Sequence, residues 1–193
     1  MPKRIGAISF TNTAVEEIKN RVSDKTGTMP QEFENIRTVH SQAWRLLGLE
    51  KDNLAEAHIG AFNTEHERWA IPAGRLASTK DDDEEDAAQR TKRDALSTNA
   101  ETFAKVQLHR QRLTPLNQWT ETERAFWSVY SGWMNDNNLC DFTGVLERCL
   151  SLQLSPDIDV LFCDEWQDAS ALQNALVHMW SQGTISTIYA GDS

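Results

Sequence analysis

A short apolar run that ends in a cluster of acids constrains the fold of this chain more than any other stretch. Ile158–Cys163 holds five apolar residues interrupted only by Asp159, and the residues Asp-Glu-Trp-Gln-Asp follow at 164–168. A short apolar run bounded by polar residues is typical of a strand that is buried on both faces of a parallel sheet. The sequence therefore predicts an α/β fold built on a parallel sheet.

The acids that follow this strand point to a site. Ligands of open α/β sheets bind outside the carboxyl ends of the strands, where Asp164 and Glu165 are expected to lie. One carboxylate can hold a magnesium ion, and its neighbour can orient or deprotonate a water, as in the acidic half of a nucleotide-triphosphate hydrolysis site. An ordinary strand that ends in a polar turn explains the same residues, and this stretch alone leaves both interpretations open.

A strand followed by a helix is predicted at the start of the chain. Ile5–Phe10 is predicted as a buried strand, and the polar segment Thr11–Thr13 ends it. Thr13 and Glu16 have the spacing of a capping box, which predicts a helix start. Hydroxyls, an amide and free backbone N–H groups at such a turn can hold a phosphate, although helix capping alone explains them.

A second strand with a polar end is predicted at Ile36–Ser41, followed by a helix that stops near Gly48. His40 and Ser41 are its candidate functional residues. A lone histidine acts either as a structural hydrogen-bonding group or as a ligand or base, and the sequence leaves both roles open.

Charge is distributed unevenly along the chain. The net charge is −10, of which the first fifty residues contribute +1 and the remainder −11. An acidic total argues against a general nucleic-acid coat protein, but it leaves room for a narrow DNA groove on the near-neutral N-terminal part. The acid run at 80–86 is predicted as a solvated loop and is given no function.

The rest of the chain adds helices and one more strand. Glu121–Met134 is predicted as an amphipathic helix whose aromatic row either packs in a core or stacks on bases. Residues 158–193 are predicted as strand, helix and strand, with Ser170 and Gln173 at the helix start. The sequence has no run long enough for a membrane span, no signal-peptide core and three cysteines without metal or redox spacing, which favours a soluble protein of a reducing cytoplasm.

Five short segments, in this order, resemble the motifs of the UvrD/Rep-type superfamily 1 DNA helicases. Residues 9–14 resemble motif Ia, and Thr38–Ser41 resembles motif Ib. Asp141-Phe142 resembles the segment just before motif II. Residues 164–168 resemble the DExQD motif II, and residues 190–192 resemble the start of motif III. The resemblance covers residues 4–50 and 139–193.

The resemblance implies a division of the chain. Residues 1–50 and 139–193 would form two parts of a RecA-like, P-loop NTPase domain called 1A. Residues 51–138, with the acidic loop 80–86, would form the mainly helical insert called 1B. The expected fold is therefore a partial RecA-like parallel sheet with an inserted, mainly helical subdomain.

The resemblance also implies roles for single residues, with ATP and Mg²⁺ as cofactors. Asp164 would ligate magnesium, and Glu165 would be the general base that positions the attacking water. Gln167 and Asp168 would couple the nucleotide site to the DNA, and Asp192 would belong to the motif that senses the γ-phosphate. The path of single-stranded DNA would be lined by Phe10, Thr11, Asn12, Thr38, His40 and Ser41.

The sequence departs from the family pattern in three places. Thr13 stands where a basic residue is usual, and Gln42 stands where an aromatic is common. No G-x-x-x-x-G-K-[ST] segment, the phosphate-binding loop, occurs in the 193 residues. We therefore expect a fragment of an ATP-dependent DNA helicase that hydrolyses little ATP alone and works with the rest of its polypeptide at a DNA duplex junction. The alternative is a non-catalytic module that binds single-stranded DNA or protein.

Overall fold

The computed structural model describes the backbone of residues 4–72 and 87–191, and the side chains of residues 4–72 and 94–191. The acid run 80–86 and Asp192 lie outside these ranges. The described chain divides into two compact units, Met1–Leu49 with Gly144–Ser193, and Glu50–Thr143. Within the described ranges, no helix combines the length and the apolar content that a membrane crossing requires.

Four strands form one parallel sheet in the first unit. They are β1 Ile5–Ser9, β2 Ile36–Thr38, β3 Val160–Cys163 and β4 Ser186–Tyr189, in the spatial order β2-β1-β3-β4. The longer helices, in chain order, are α1 Asn12–Thr26, α2 Val39–Leu47, α3 Ile59–Glu65, α4 Ala87–Gln111, α5 Glu121–Asp136, α6 Phe142–Ser151 and α7 Ala171–Ser181. The predicted α/β fold with a parallel sheet is confirmed, and it is consistent with a partial RecA-like domain.

The start of α1 differs from the prediction. Thr11, rather than Thr13, is the N-cap residue, and its hydroxyl accepts a hydrogen bond from the Ala14 N–H at 3.1 Å. The helix begins two residues early because Thr11 has the extended backbone conformation that an N-cap requires. The helix start predicted at Ser170 and Gln173 is confirmed for α7, and the two residues form a capping box.

The prediction that β3 is buried on both faces is wrong. Leu161 and Cys163 are buried, but Phe162 on the opposite face is 41% exposed. Its neighbour in β4, Ile188, is 45% exposed. On the same face, Ala7 belongs to a small core with Val15 of α1. Helix α1 therefore covers the β1 and β2 half of this face and leaves the β3 and β4 half open among the described residues.

An aromatic cluster forms the core of the second unit. Phe62 lies 5.2 Å from both Tyr130 and Trp133 between ring centroids, with edge-to-face geometry. Phe126 is fully buried beside them. The aromatic row of α5 thus packs in a core, and its buried rings present no face to a nucleic-acid base.

A buried ion pair fixes α4 to the segment before α6 in the second unit. The Arg110 guanidinium donates hydrogen bonds to both carboxylate oxygens of Asp141, at 2.5 and 2.9 Å. Asp141 is fully buried and also accepts from the Gln107 side-chain amide at 2.7 Å. The guanidinium stacks 4.2 Å from the centre of the Trp127 ring. Both charges are therefore satisfied away from water, which is the condition under which a buried pair is tolerated.

Removing the Asp141 carboxylate is expected to destabilise the second unit severely. Asp141→Ala leaves the Arg110 guanidinium buried without its bidentate acceptor, a change that costs about 3–5 kcal/mol of free energy of unfolding. Urea titration followed by tryptophan fluorescence measures this loss. Asp136→Ala removes an exposed carboxylate from α5 and is the control, with an expected change within about 0.5 kcal/mol. Equal stability of the two variants would contradict the account.

Candidate functional site

Because the strands are parallel, the carboxyl ends of all four strands lie at the same end of the sheet. This row of strand ends is the carboxyl edge of the sheet. The strand order places the segments after β2, β1, β3 and β4 side by side in that sequence. Asp164 is tied to the neighbouring strand, since its N–H donates to the Ile8 carbonyl at 2.9 Å. Candidate residues that are far apart in sequence are therefore brought to a single edge.

The acidic segment after β3 forms a tight turn. Asp164 is half-buried and Glu165 is exposed. Glu165 has φ 54° and ψ 40°, in the left-handed region, and Gln167 donates from its side-chain amide to the Glu165 carboxylate at 2.5 Å. Asp168 is exposed, and its N–H closes a short 3₁₀ turn on the Glu165 carbonyl at 3.0 Å. Two adjacent carboxylates thus stand at the edge, and the second is held by an amide.

The residues after β1 present an aromatic ring and an exposed amide. Phe10 is half-buried, and its ring centre lies 6.0 Å from that of Trp166. Asn12 is exposed in the first turn of α1. The Thr11 hydroxyl is engaged as the N-cap acceptor. The backbone around Thr11 thus fixes the position of Phe10 and Asn12 on either side of it.

The segment after β2 is helical, not extended as predicted. β2 ends at Thr38, whose hydroxyl caps α2 by accepting from the Ser41 N–H at 3.1 Å. His40 and Ser41 therefore lie in the first turn of α2. The Ser41 hydroxyl accepts from the Arg37 guanidinium at 3.3 Å. Burial lowers the pKa of His40 to about 4, so its imidazole is neutral at pH 7.

Several residues at this edge were not among the predicted site residues. Trp166 lies between Phe10 and Tyr189, and its N–H donates to the Ala190 carbonyl at 2.9 Å. The side-chain amide of Gln167 lies so close to Gly191 that a Cβ there would overlap it. The aromatic character of Trp166 and Tyr189 is visible in the sequence, but their contact depends on strand order, which no local pattern reveals.

Two buried polar atoms in the first unit, one in β1 and one in α2, lack partners among the described residues. They are the Ser9 hydroxyl, at the last residue of β1, and the side-chain oxygen of Gln42 in α2. An unpaired buried polar atom costs free energy, and ordered water or a ligand group commonly satisfies it. No sequence pattern indicated these atoms, because burial is a property of the fold.

A cavity of about 1020 Å³ opens beside the acidic segment, on the sheet face that α1 partly covers. Its floor is mostly apolar and includes Ala7, Phe162 and Ile188, and Asp164 and Glu165 lie at its end. Within the described part of the chain, no three His, Cys, Asp or Glu side chains gather as a metal site. Asp164, with or without Glu165, fits Mg²⁺, which usually takes one or two carboxylates and fills its remaining positions with water and phosphate oxygens.

The partly buried, neutral His40 is expected to make stability depend on pH. The pKa of His40 is about 4 in the fold and about 6.5 in an unfolded chain, so the unfolded chain takes up the proton first as pH falls. As the pH falls from 7 to 4.5, the contribution of His40 to the free energy of unfolding therefore decreases by about 2–3 kcal/mol. Urea titrations at both pH values measure it.

His40→Gln is expected to lose that part of the pH dependence. His178→Gln, at an exposed position of α7, controls for the loss of one imidazole. A wild-type difference between the two pH values that persists undiminished in His40→Gln would contradict the assignment.

Two comparisons with known proteins bear on this edge of the sheet. The family model described as the UvrD/REP helicase N-terminal domain matches residues 1–193, the whole of the sequence. A search of curated proteins gave no match. The family match agrees with the order of the segments at the strand ends and with the parallel sheet that carries them. The chain therefore belongs to the UvrD/REP helicase N-terminal domain family.

Proposed function

We propose that this chain is part of an ATP-dependent DNA helicase that couples ATP hydrolysis to movement along single-stranded DNA and to unwinding at a duplex junction. The observation that carries the proposal is the shared sheet edge. It places the Asp164 and Glu165 carboxylates next to Phe10 and Asn12 along the ends of parallel strands. Helicase chemistry requires a nucleotide site and a DNA path that are mechanically connected, and neighbouring strand ends provide such a connection.

In the nucleotide site, Asp164 would hold Mg²⁺ and Glu165 would orient the attacking water. Bound magnesium supplies charge neutralisation of the phosphate oxygens. The hydrogen bond from Gln167 keeps the Glu165 carboxylate in a defined position. The Asp164 N–H bond to Ile8 fixes the backbone of the metal ligand. Asp168 and Asp192 are proposed as further nucleotide-site residues, of which Asp192 lies outside the described residues.

In the DNA path, Phe10 would stack on a base and Asn12 would hydrogen-bond to the backbone or a base edge. The hydroxyls of Thr11, Thr38 and Ser41 already bond within the protein, so their contribution would be to shape the helix starts. These helix starts present backbone N–H groups to a phosphate. His40 is neutral in the free chain, and a phosphate beside it would favour its charged form.

The compact unit Glu50–Thr143 is proposed to be the helical insert of the family, and the other unit the RecA-like domain 1A. The arrangement agrees with the sequence, since the motif-like segments fall in or next to the first unit. A non-catalytic module that binds single-stranded DNA is the second candidate. The absence of a G-x-x-x-x-G-K-[ST] segment from the 193 residues favours it.

Binding to single-stranded DNA is expected to depend on Phe10. Fluorescence anisotropy with a labelled oligothymidylate at low salt measures the affinity of the 193-residue chain. Phe10→Ala removes a stacking face worth roughly 1–3 kcal/mol, which is about a 5- to 150-fold loss of affinity. Ile185→Ala removes an exposed apolar side chain just before β4, at the opposite edge of the sheet, and is expected to bind like wild type. Equal losses in both variants would count against the proposed path.

Hydrolysis of ATP by the 193-residue chain alone is expected to be slow, because it contains no G-x-x-x-x-G-K-[ST] loop to cradle the phosphates. Phosphate release measured with Mg²⁺·ATP, with and without oligothymidylate, checks this. Glu165→Gln, which keeps the size of the side chain and removes its charge, is the matched variant. Robust DNA-stimulated turnover that Glu165→Gln abolishes would show that the chain is catalytically complete.

A further inference from the structure

Trp166 connects three strand ends through its ring and its backbone. Its ring centre lies 6.0 Å from that of Phe10 after β1 and 4.9 Å from that of Tyr189 at the end of β4. Its backbone N–H donates to the Ala190 carbonyl at 2.9 Å. All three rings are only partly buried, with Tyr189 45% exposed, so they form a row at the sheet edge rather than a core.

The backbone conformation of Glu165 and its hydrogen bond with Gln167 determine where the Glu165 carboxylate points. Glu165 has a left-handed backbone with φ 54°, which residues with a Cβ seldom adopt unless their surroundings hold them there. Gln167 donates to the Glu165 carboxylate, and its amide group is packed against Gly191, where a Cβ would overlap it unless the Gln167 side chain moved. Three contacts attach the turn between Glu165 and Gln167 to the end of β4: the backbone hydrogen bond from Trp166 to Ala190, the Trp166 ring against Tyr189, and Gln167 against Gly191. Trp166 contributes two of the three.

We propose that Trp166 is a positioning residue that holds Glu165 in its left-handed conformation and transmits to it any displacement of Phe10. A base that stacks on Phe10 shifts the ring that contacts Trp166, and the turn that carries Glu165 moves with it. The transmission from Phe10 rests on the proposed function, in which Phe10 contacts DNA. The holding of Glu165 does not, since it follows from contacts present in the free chain.

The first test measures the holding role in the 193-residue chain without DNA. Backbone amide hydrogen exchange reports on the N–H groups of Trp166 and Asp168, which close the turn. Trp166→Ala is expected to accelerate their exchange by about tenfold, and Trp166→Phe, which keeps a ring, to stay within about threefold of wild type. Trp44→Ala, a half-buried tryptophan of α2 outside the row, is the control. Unchanged exchange in Trp166→Ala would overturn the holding role.

The second test measures transmission by ¹⁹F NMR of the chain labelled with 5-fluorotryptophan. The Trp166 signal is identified by its loss in Trp166→Phe. Oligothymidylate is expected to shift that signal in the wild-type chain. In Phe10→Leu, the shift is measured at an oligothymidylate concentration at which anisotropy shows the variant to be saturated. The shift is then expected to be smaller by at least about fivefold. A Trp166 signal that stays in place while anisotropy shows bound DNA would overturn transmission and leave the proposed function standing. No binding by anisotropy would overturn the proposed function and transmission together, and the exchange measurement would still decide the holding role.

Discussion

The pairing of β1 with β3 is the interaction on which the rest of the site depends. These strands are far apart in sequence, and their parallel register aligns Ile8 with Cys163. The bond from the Asp164 N–H to the Ile8 carbonyl continues the ladder one residue beyond the strand. Because both strands run in the same direction, the segments that follow them lie side by side at the same end of the sheet. The proposed metal ligand and the proposed DNA contacts are neighbours for this reason.

Much of the fold followed from the sequence because β1 and β3 are short, mainly apolar runs that end in polar residues. That pattern predicted the parallel sheet and the polar ends of its strands. It failed where tertiary context decides. Thr11 and Thr13 are the same residue type, and only the backbone conformation makes Thr11 the cap. Phe162 is an apolar residue in an apolar run and was therefore expected to be buried, yet among the described residues nothing covers it fully.

The candidate site was predictable in its parts but not in its connections. The acids after β3 and the polar residues after β1 and β2 were recognisable from the family resemblance. The aromatic row through Trp166 was not, since it joins three strand ends whose spatial order is set by long-range pairing. The left-handed backbone of Glu165 was equally hidden, because that region favours glycine and asparagine in local patterns. In the second unit, Asp141 carried a motif resemblance, and the structure adds its buried pairing with Arg110.

On the proposed function, the carboxyl edge of the sheet binds single-stranded DNA beside the carboxylates. Photo-crosslinking of the 193-residue chain to an oligonucleotide that contains 5-iodouridine, followed by mass spectrometry, tests it most directly. We expect crosslinks to Phe10 or within residues 10–13 and 38–41, and their loss under excess unlabelled oligonucleotide. Crosslinks confined to residues 50–143 would contradict it.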